Sequence, residues 1–466
     1  MPEPRLWQLT AGSAVLGLAL AAGAVTTAGP WDSGQRKAER SWAAAQEGTG
    51  GAHHEPGAPG PQRPTPAPSA AGVLTALASP RGAAPGDLVP RLVPLLNDPG
   101  LGPLRSASVV DATTGKRLYG AGDTTPMTPA STIKIATAVA ALTALGPDHR
   151  IATTVVAGKD ARRITLVGGG DATLDRARLR ALAAGTARAL RDRGVTTVRL
   201  AYDTSLYQGP VTHRIGPNDN LAPVVPLMLH AGRLDNSTYG TARRSADPAF
   251  DTATAFGQLL GKAGVAVEAA PAPGRAPKGP EAVTVAKTLS APLSALVERT
   301  LTHSDNDLAE ALARQTALKT GRPASFDGAA KAVRTTLARL DVPLTGARFA
   351  DGSGLDRRDQ VSAALLTALL TRAADPARPA LRPVLTGLPV GGFSGTLRSR
   401  FEDGSPGAGL VRAKTGTLTG VNALAGTVVT ADGRLLAFAF LAGRTPSADT
   451  AQPALDRLSA ALAPPR

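Results

Sequence analysis

The sequence predicts a mixed α/β (α+β) fold, in which an antiparallel sheet is flanked by helices and joined to a smaller, strand-rich inserted domain. Three observations predict it. Residues 107–119 have the pattern of two strands around an Asp/Thr/Gly turn. Residues 423–441 alternate strongly on either side of a second turn that contains Asp-Gly. Between these hairpins, a strand-rich pattern at 151–289 changes to a helical pattern from about residue 290.

The N-terminal region predicts an export segment followed by a tether. Arg5 precedes an uncharged stretch rich in Ala, Leu, Gly and Val, so residues 1–30 are expected to be a signal peptide or a membrane anchor. Residues 31–85 are rich in Pro, Gly and Ala and have too few large apolar side chains to fold alone, which predicts a disordered linker. We therefore expect an extracytoplasmic protein, secreted or held to the membrane through its N-terminal segment.

The folded part begins near residue 86. The first hairpin precedes a turn and a small-residue helix that starts near Ser131. Strand patterns follow at 151–156, 164–167 and 196–202, together with an arginine-rich amphipathic helix at about 175–193. These patterns belong to the region that we predict to be inserted into the main domain.

The remaining chain returns to the main domain. A helical pattern runs through 301–312, and a final helix is predicted at 451–462, after the second hairpin. We therefore assign residues 86–150 and 290–466 to one domain of the predicted sheet-and-helix type. Residues 151–289 form the inserted domain.

Composition excludes several classes of protein. The formal net charge is +15, but the basic residues are scattered and are not interleaved with aromatic side chains, which argues against nucleic acid as a partner. A solvated basic surface suits an anionic matrix, such as a bacterial wall or membrane face. The absence of cysteine excludes a disulfide scaffold and a thiolate site. The six histidines form no metal-ligand spacing.

Ser131 and Lys134 form the first of three short motifs with chemical meaning. Positions i and i+3 share a helix face, so the lysine ammonium can lie beside the serine hydroxyl. Serine needs a neighbouring base, and lysine can serve when burial or nearby cations lower its pKa. Of the ten lysines in the chain, only this one has a serine three residues before it. Taken alone, the pattern fits an ordinary helix start equally well.

Two further motifs follow in a fixed order. Ser304-Asp-Asn306 offers a hydroxyl for proton relay and an amide that can orient a substrate. Lys414-Thr-Gly416 offers a cation for a substrate carboxylate on a strand edge, where glycine permits close backbone approach. Each motif is common by itself, but the ordered set of three is specific.

A second Lys-Thr-Gly sequence tests this interpretation. Lys319-Thr-Gly321 ends the helix that starts near Ser304, with lysine in the last turn and glycine just beyond it, as helix C-termini prefer. The copy at residues 414–416 instead continues into alternating strands. We therefore assign the chemical role to the later copy.

The motifs in their sequence context resemble a known family. The matching segments run in one order over about residues 86–466: Pro129-Ala-Ser131-Thr-Ile-Lys134, Ser304-Asp-Asn-Asp-Leu-Ala-Glu310 and Arg412-Ala-Lys-Thr-Gly-Thr-Leu-Thr-Gly420, supported by Gly168-Gly-Gly-Asp171, Asp351-Gly-Ser-Gly-Leu355, Val361-Ser362 and Gly395-Thr-Leu-Arg-Ser-Arg-Phe401. The chain resembles the D-alanyl-D-alanine carboxypeptidase/endopeptidase family, the low-molecular-mass class C penicillin-binding proteins. The resemblance implies a serine β-lactamase/transpeptidase-like catalytic domain.

The resemblance also implies roles for these residues. Ser131 would attack the carbonyl between two D-alanines of a peptidoglycan stem peptide, and Lys134 would take its proton. Ser304 would pass a proton to the leaving amine, while Asn306 would hold the substrate amide and the lysine. The terminal carboxylate would be bound by the later Lys-Thr-Gly segment, with these residues: Lys414, Thr415, Gly416 and Thr417. β-Lactams imitate this substrate and would acylate the same serine, and no metal or organic cofactor is implied.

The sequence also departs from the family pattern. The interval between Ser131 and Ser304 is shorter than is typical, which suggests that one of two nested extra domains is reduced or absent. A tryptophan usual near residues 215–221 is missing, and Asp219 is the candidate there for binding the free amine of a diaminopimelate side chain. Two alternatives stay open: a serine β-lactamase, and a non-catalytic wall-binding protein on the same fold.

Overall fold

The computed structural model describes residues 88–235, 237–401 and 404–464. These residues belong to the second of two structural units, residues 73–466. The predicted export segment and linker lie outside the described residues. Within the described ranges, no helix has both the length and the apolar character needed to span a bilayer.

Ten α-helices and eleven strands make up the described chain. The helices are α1 Val89–Leu96, α2 Lys134–Leu145, α3 Arg176–Arg191, α4 Pro248–Lys262, α5 Leu293–Thr302, α6 Asn306–Lys319, α7 Phe326–Ala338, α8 Ala363–Ala374, α9 Pro383–Thr386 and α10 Ala448–Ala460. The strands are β1 Leu104–Asp111, β2 Arg117–Ala121, β3 Ala152–Ala157, β4 Arg163–Val167, β5 Thr197–Asp203, β6 Ala266–Val267, β7 Ala272–Pro273, β8 Val283–Leu289, β9 Arg412–Leu418, β10 Val421–Val429 and β11 Leu435–Gly443.

The two predicted hairpins join in one five-stranded antiparallel sheet. Its order is β2-β1-β11-β10-β9, so the last strands of the chain lie between the first hairpin and the strand with Lys414. Strands β10 and β11 are buried along almost their whole length. Helices therefore cover both faces of the sheet, which explains the continuous apolar runs in these strands.

The two faces of β11 belong to different cores. Phe438 and Phe440 pack with α1 and α10, whereas Ala437 and Ala439 face a core built from α2 and α5–α8. The larger side chains fill one side, and the small alanines leave room for helices on the other. Side chains on a strand alternate between faces, so one alternating sequence serves both cores.

Helix α2 is buried all round. Every residue from Lys134 to Leu142 is buried, because the helix lies between the sheet and the neighbouring helices of the first core. Its small side chains permit this close packing. A helix that is apolar on all sides belongs in the interior. The N-terminal end of α2 therefore brings Ser131 and Lys134 into the middle of the protein.

A second sheet has the order β6-β5-β4-β3-β8, with β7 also paired to β5. Strands β3, β4 and β8 pair antiparallel, while β5 runs parallel to its neighbours. Helices α3 and α4 pack on this sheet around a separate core. All of these strands lie within residues 151–289; the exact domain limits stay a prediction.

Local signals identified several elements correctly. The arginine-rich helix predicted at about 175–193 is α3, whose N-cap Asp175 accepts a hydrogen bond from the Arg178 amide. Lys319 ends α6, and Gly321 beyond it has a φ of +70°, as expected for a helix C-terminus. The early Lys-Thr-Gly sequence is therefore a helix end, as predicted.

Candidate active site

The site begins at the turn that leads into α2. A short 3-10 turn, Ala130–Ile133, precedes the helix, and Lys134 Nζ donates a hydrogen bond to Ser131 Oγ at 2.9 Å. Ala130 has a φ of +46°, a left-handed conformation that is costly for a residue with a side chain. Backbone strain is thus located directly before the serine.

Lys134 is fully buried and has three oxygen partners. Besides the serine, Nζ donates to Asn306 Oδ1 at 2.7 Å and to the Ser353 carbonyl at 2.5 Å. Burial lowers the pKa of the lysine to about 8, against the opposing effect of nearby carboxyl groups. A substantial fraction of this amine can therefore be neutral near physiological pH, as a general base requires.

The three partners differ in what they can do for a neutral amine. The Asn306 amide oxygen and the Ser353 carbonyl can only accept hydrogen bonds, whereas the Ser131 hydroxyl can also donate. Once Lys134 has lost a proton, the lone pair on Nζ can receive a hydrogen from the serine alone among these three. The geometry therefore favours proton transfer from Ser131 to Lys134.

The Ser304–Asn306 segment forms the start of α6. Ser304 has a φ of +54°, and Asp305 caps the helix by accepting a hydrogen bond from the Leu308 amide at 3.0 Å. This turn directs the Asn306 side chain to Lys134. No described residue forms a hydrogen bond with the Ser304 hydroxyl, which leaves it available to a ligand.

Lys414 lies on β9, at the edge of the five-stranded sheet. Its side chain is fully buried, and Nζ donates to the Thr415 carbonyl at 2.9 Å. Burial, and then the charge of Lys134, lower the pKa of Lys414 well below its usual value. The Thr415 hydroxyl bonds the Thr396 hydroxyl at 2.9 Å, and Thr417 is exposed.

Gly416 explains how β9 reaches the serine turn. A Cβ atom at this position would lie 2.6 Å from the Pro129 carbonyl oxygen and 3.2 Å from the Ala130 Cβ. Only glycine allows the strand to approach this closely. The Lys414-Thr-Gly416 segment and the serine turn are therefore in direct contact.

Asp219 lies on an exposed loop beside the other residues. Its backbone carbonyl accepts a hydrogen bond from the Ala242 amide at 3.0 Å. The next residue, Asn220, accepts a hydrogen bond at its carbonyl from Asn306 Nδ2 at 3.0 Å. The structure thus brings the loop to the site, but no described residue forms a hydrogen bond or an ion pair with the Asp219 carboxylate.

Residue-by-residue sequence reasoning missed a buried polar cluster behind Lys134. The cluster consists of His213, Glu310, Arg314, Asp351, Ser353 and Asp359. In the sequence, Asp351 and Ser353 stood out only as part of a segment that supports the family resemblance, and no local signal connects His213 to a partner 138 positions away. Ligand atoms of His213, Glu310 and Asp351 lie within 4.8 Å of one another. The carboxylate oxygens of Glu310 and Asp351 accept hydrogen bonds from the Arg314 guanidinium and from backbone amides, which hold the cluster together.

Comparisons with known proteins identify the family of this chain. The model of the D-Ala-D-Ala carboxypeptidase 3 (S13) family matches residues 89–240 and 231–462. The chain is 37% identical over 430 residues to the carboxypeptidase DacB of Mycolicibacterium smegmatis, a match that covers 88% of this chain and 91% of the relative. It is 29% identical to a D-alanyl-D-alanine carboxypeptidase of an Actinomadura species, over 78% of this chain and 82% of the relative.

A solved structure supports the fold. Penicillin-binding protein 4 of Haemophilus influenzae superposes with a TM-score of 0.66 at 23% identity, over 80% of this chain and 97% of that chain. The fold is therefore that of the penicillin-binding serine enzymes. More narrowly, the chain belongs to the D-Ala-D-Ala carboxypeptidase 3 (S13) family. It is a serine-type D-Ala-D-Ala carboxypeptidase that works on the wall side of the cytoplasmic membrane.

Proposed function

We propose that Ser131 is the nucleophile and Lys134 the general base with which this enzyme trims peptidoglycan stem peptides. The contact of 2.9 Å between Lys134 Nζ and Ser131 Oγ carries the proposal. The lowered pKa of the lysine supports the proposal, because an amine with a pKa of about 8 is partly neutral at neutral pH and can then accept the proton of the serine.

The reaction has two halves. Ser131 Oγ attacks the carbonyl carbon between the two D-alanines while its proton passes to Lys134. The C–N bond then breaks, D-alanine leaves with a proton relayed through Ser304, and an ester remains on the serine. Water hydrolyses the ester and restores the hydroxyl. The backbone N–H groups of Ser131 and Thr417 would stabilise the oxyanion in both halves.

The terminal carboxylate of the substrate would bind at β9. Lys414 supplies the cation, and Thr415 or Thr417 supplies a hydroxyl, while Gly416 keeps the strand close to the serine turn. Lys414 is buried without a carboxylate partner among the described residues. An arriving carboxylate would provide the missing counter-charge and raise the pKa of this lysine again.

Several finer points belong to the same proposal. β-Lactams would acylate Ser131; in support, a further structure of the Haemophilus influenzae protein, 22% identical over 80% of this chain, is a complex with a β-lactam. Cleavage of cross-links is proposed as a secondary activity, and Asp219 as a group that binds a side-chain amine of the stem peptide. Residues 1–30 would direct export or anchor the chain in the membrane, and residues 31–85 would let the enzyme reach the wall.

The experiment labels the full-length protein with a fluorescent penicillin and measures D-alanine release from a stem pentapeptide. The wild type is expected to do both, and Ser131→Ala neither. Ser399→Ala removes an exposed serine of the same domain and should behave as wild type. An unlabelled wild type would favour the non-catalytic alternative, and penicillin hydrolysis faster than D-alanine release would favour a β-lactamase.

A further inference from the structure

The backbone oxygen that contacts Lys134 belongs to a turn with unusual support. This turn, residues 351–354, contains Ser353, whose carbonyl accepts the hydrogen bond from the lysine. Glu310 Oε1 accepts from the backbone amides of Gly352 at 2.9 Å and Ser353 at 3.0 Å. Asp351 Oδ1 accepts from the amides of Ser353 at 3.0 Å and Gly354 at 2.5 Å. Two buried carboxylates thus fix the direction of the carbonyl that faces the lysine.

His213 connects this turn to another segment. Its Nε2 lies 2.9 Å from Asp351 Oδ2, and both side chains are almost completely buried. Its Nδ1 accepts a hydrogen bond from the Ile215 amide at 3.3 Å. Because Nδ1 accepts a hydrogen bond, the ring proton lies on Nε2, which therefore donates a hydrogen bond to Asp351. The ring also packs edge-on against Phe326, with centroids 5.3 Å apart.

The segment that His213 begins, the 213–222 loop, returns to the active site at its other end. The Asn220 carbonyl accepts a hydrogen bond from Asn306 Nδ2, and the Ala222 amide donates to Asp307 Oδ1 at 3.0 Å. Asn306 in turn accepts a hydrogen bond from Lys134. Both connections of His213, through the 351–354 turn and through the 213–222 loop, therefore end on partners of Lys134.

We propose that His213 is a positioning residue, which ties the 213–222 loop to the 351–354 turn and so fixes the two acceptors that aim Lys134 at Ser131. The proposal rests on the role of Lys134 as the base. It extends the site to a residue on the loop that also carries Asp219. The ring forms no hydrogen bond with Ser131 or Lys134, so its effect passes through the Ser353 carbonyl and the Asn306 side chain.

The electrostatics of the cluster give this role a distinctive signature. Four carboxyl groups raise the pKa of Lys134 against the effect of burial: Asp351, Glu310, Asp305 and Asp359. The groups that face His213 are Asp351, Glu310 and Asp356, and Arg314 pairs with Glu310 at 3.1 Å. Lys414 also lies near enough to Lys134 for their charges to interact.

Removal of the imidazole donor leaves more of the Asp351 charge uncompensated, which should raise the pKa of Lys134. Removal of the Asp351 charge itself should lower that pKa. The two substitutions are therefore expected to move the rising limb of the pH–rate profile in opposite directions. General loosening of the structure would not produce opposite shifts.

The test measures the second-order rate constant for acylation of the full-length protein by a fluorescent penicillin between pH 5 and pH 10. His213→Phe is expected to lower this rate constant by about 10- to 100-fold at pH 7, the scale of a small misplacement of reacting groups, and to move the rising limb to higher pH. His213→Gln can still donate to Asp351 and should remain within about threefold of wild type, with the limb unmoved. Asp351→Asn should move the limb to lower pH, and His230→Gln is the matched histidine control.

Some outcomes would overturn the inference. A wild-type rate and limb in His213→Phe, or equal losses in His213→Phe and His213→Gln, would remove the positioning role. If His213→Phe does not fold, His213→Asn decides, because its amide is polar but too short to reach Asp351: a lower rate with the limb at higher pH supports the proposal, and a wild-type rate and limb overturn it. Labelling that persists in Ser131→Ala would instead overturn the proposed function, so the two failures are distinguishable.

Discussion

Replacement of Gly416 by alanine should slow acylation strongly while it lowers the stability of the fold only a little. The new Cβ would lie 2.6 Å from the Pro129 carbonyl oxygen, a backbone atom that cannot rotate away. An ordinary carbon–oxygen contact is about 3.3 Å or longer, so strand and turn must separate by about 0.7 Å. Ser131 lies two residues beyond that carbonyl, and a displacement approaching 1 Å costs about 100-fold in rate. We therefore expect acylation to slow by about 10- to 100-fold.

Stability should suffer much less in the same variant. Inserting one methyl group into a close-packed site costs about 1–3 kcal/mol of unfolding free energy, which leaves most of the molecules folded. The assay combines the penicillin acylation rate constant with thermal unfolding of the same samples. Gly261→Ala is the control, because a Cβ there meets nothing within 4 Å and α4 should gain about 0.5–1 kcal/mol. A Gly416→Ala enzyme that acylates within twofold of wild type would refute the reasoning.

Three further predictions concern the buried lysines. Lys414→Met should raise the KM for a stem peptide by about 10- to 100-fold without loss of stability, because it removes a charge–carboxylate hydrogen bond worth about 1.5–3 kcal/mol but leaves the buried volume filled. Lys319→Met, in the Lys-Thr-Gly sequence that ends α6, should leave KM unchanged. Equal effects of the two substitutions would contradict the assignment of the carboxylate site to Lys414. The acylation rate should rise with pH through about 8 as Lys134 loses its proton. The folded-state pKa of Lys134 lies below the unfolded value, so the unfolded chain binds more protons than the folded chain between about pH 8 and pH 10.5. The unfolding free energy of the wild type should therefore rise with pH over that window relative to that of Lys134→Met. Chemical denaturation at several pH values measures this difference between the two proteins, and a difference that does not change with pH would contradict the prediction.

The fold was largely predictable because its signals are local and repeated. Alternation at residues 423–441 and an Asp-Gly turn specify the β10–β11 hairpin. A lysine followed by Thr-Gly at the end of a helical pattern specifies the C-terminus of α6. The pairing of β11 with β1 could not be predicted, because no local sequence pattern indicates which distant strand will be the partner.

The candidate site was predictable only in part. Each motif contains two reactive residues a few positions apart, so Ser131 and Lys134 could be paired from helix geometry. The Ser353 carbonyl accepts a hydrogen bond from Lys134, and the Glu310 carboxylate holds the Ser353 amide. Neither interaction could be predicted from the local sequence around these two residues. His213 shows the limit most clearly. A lone histidine before a loop is uninformative until the fold brings Asp351 to it.

The strand order of the main sheet has a consequence for biogenesis. Val109 pairs with Phe438, so the first hairpin gains its neighbour only after the long intervening segment has been synthesised. Such distant pairing makes folding slow, since a long segment must be closed before the contact forms. Ser131 and Lys414 both lie within this long interval, so the candidate active site is complete only once the sheet and the helices packed on it have assembled.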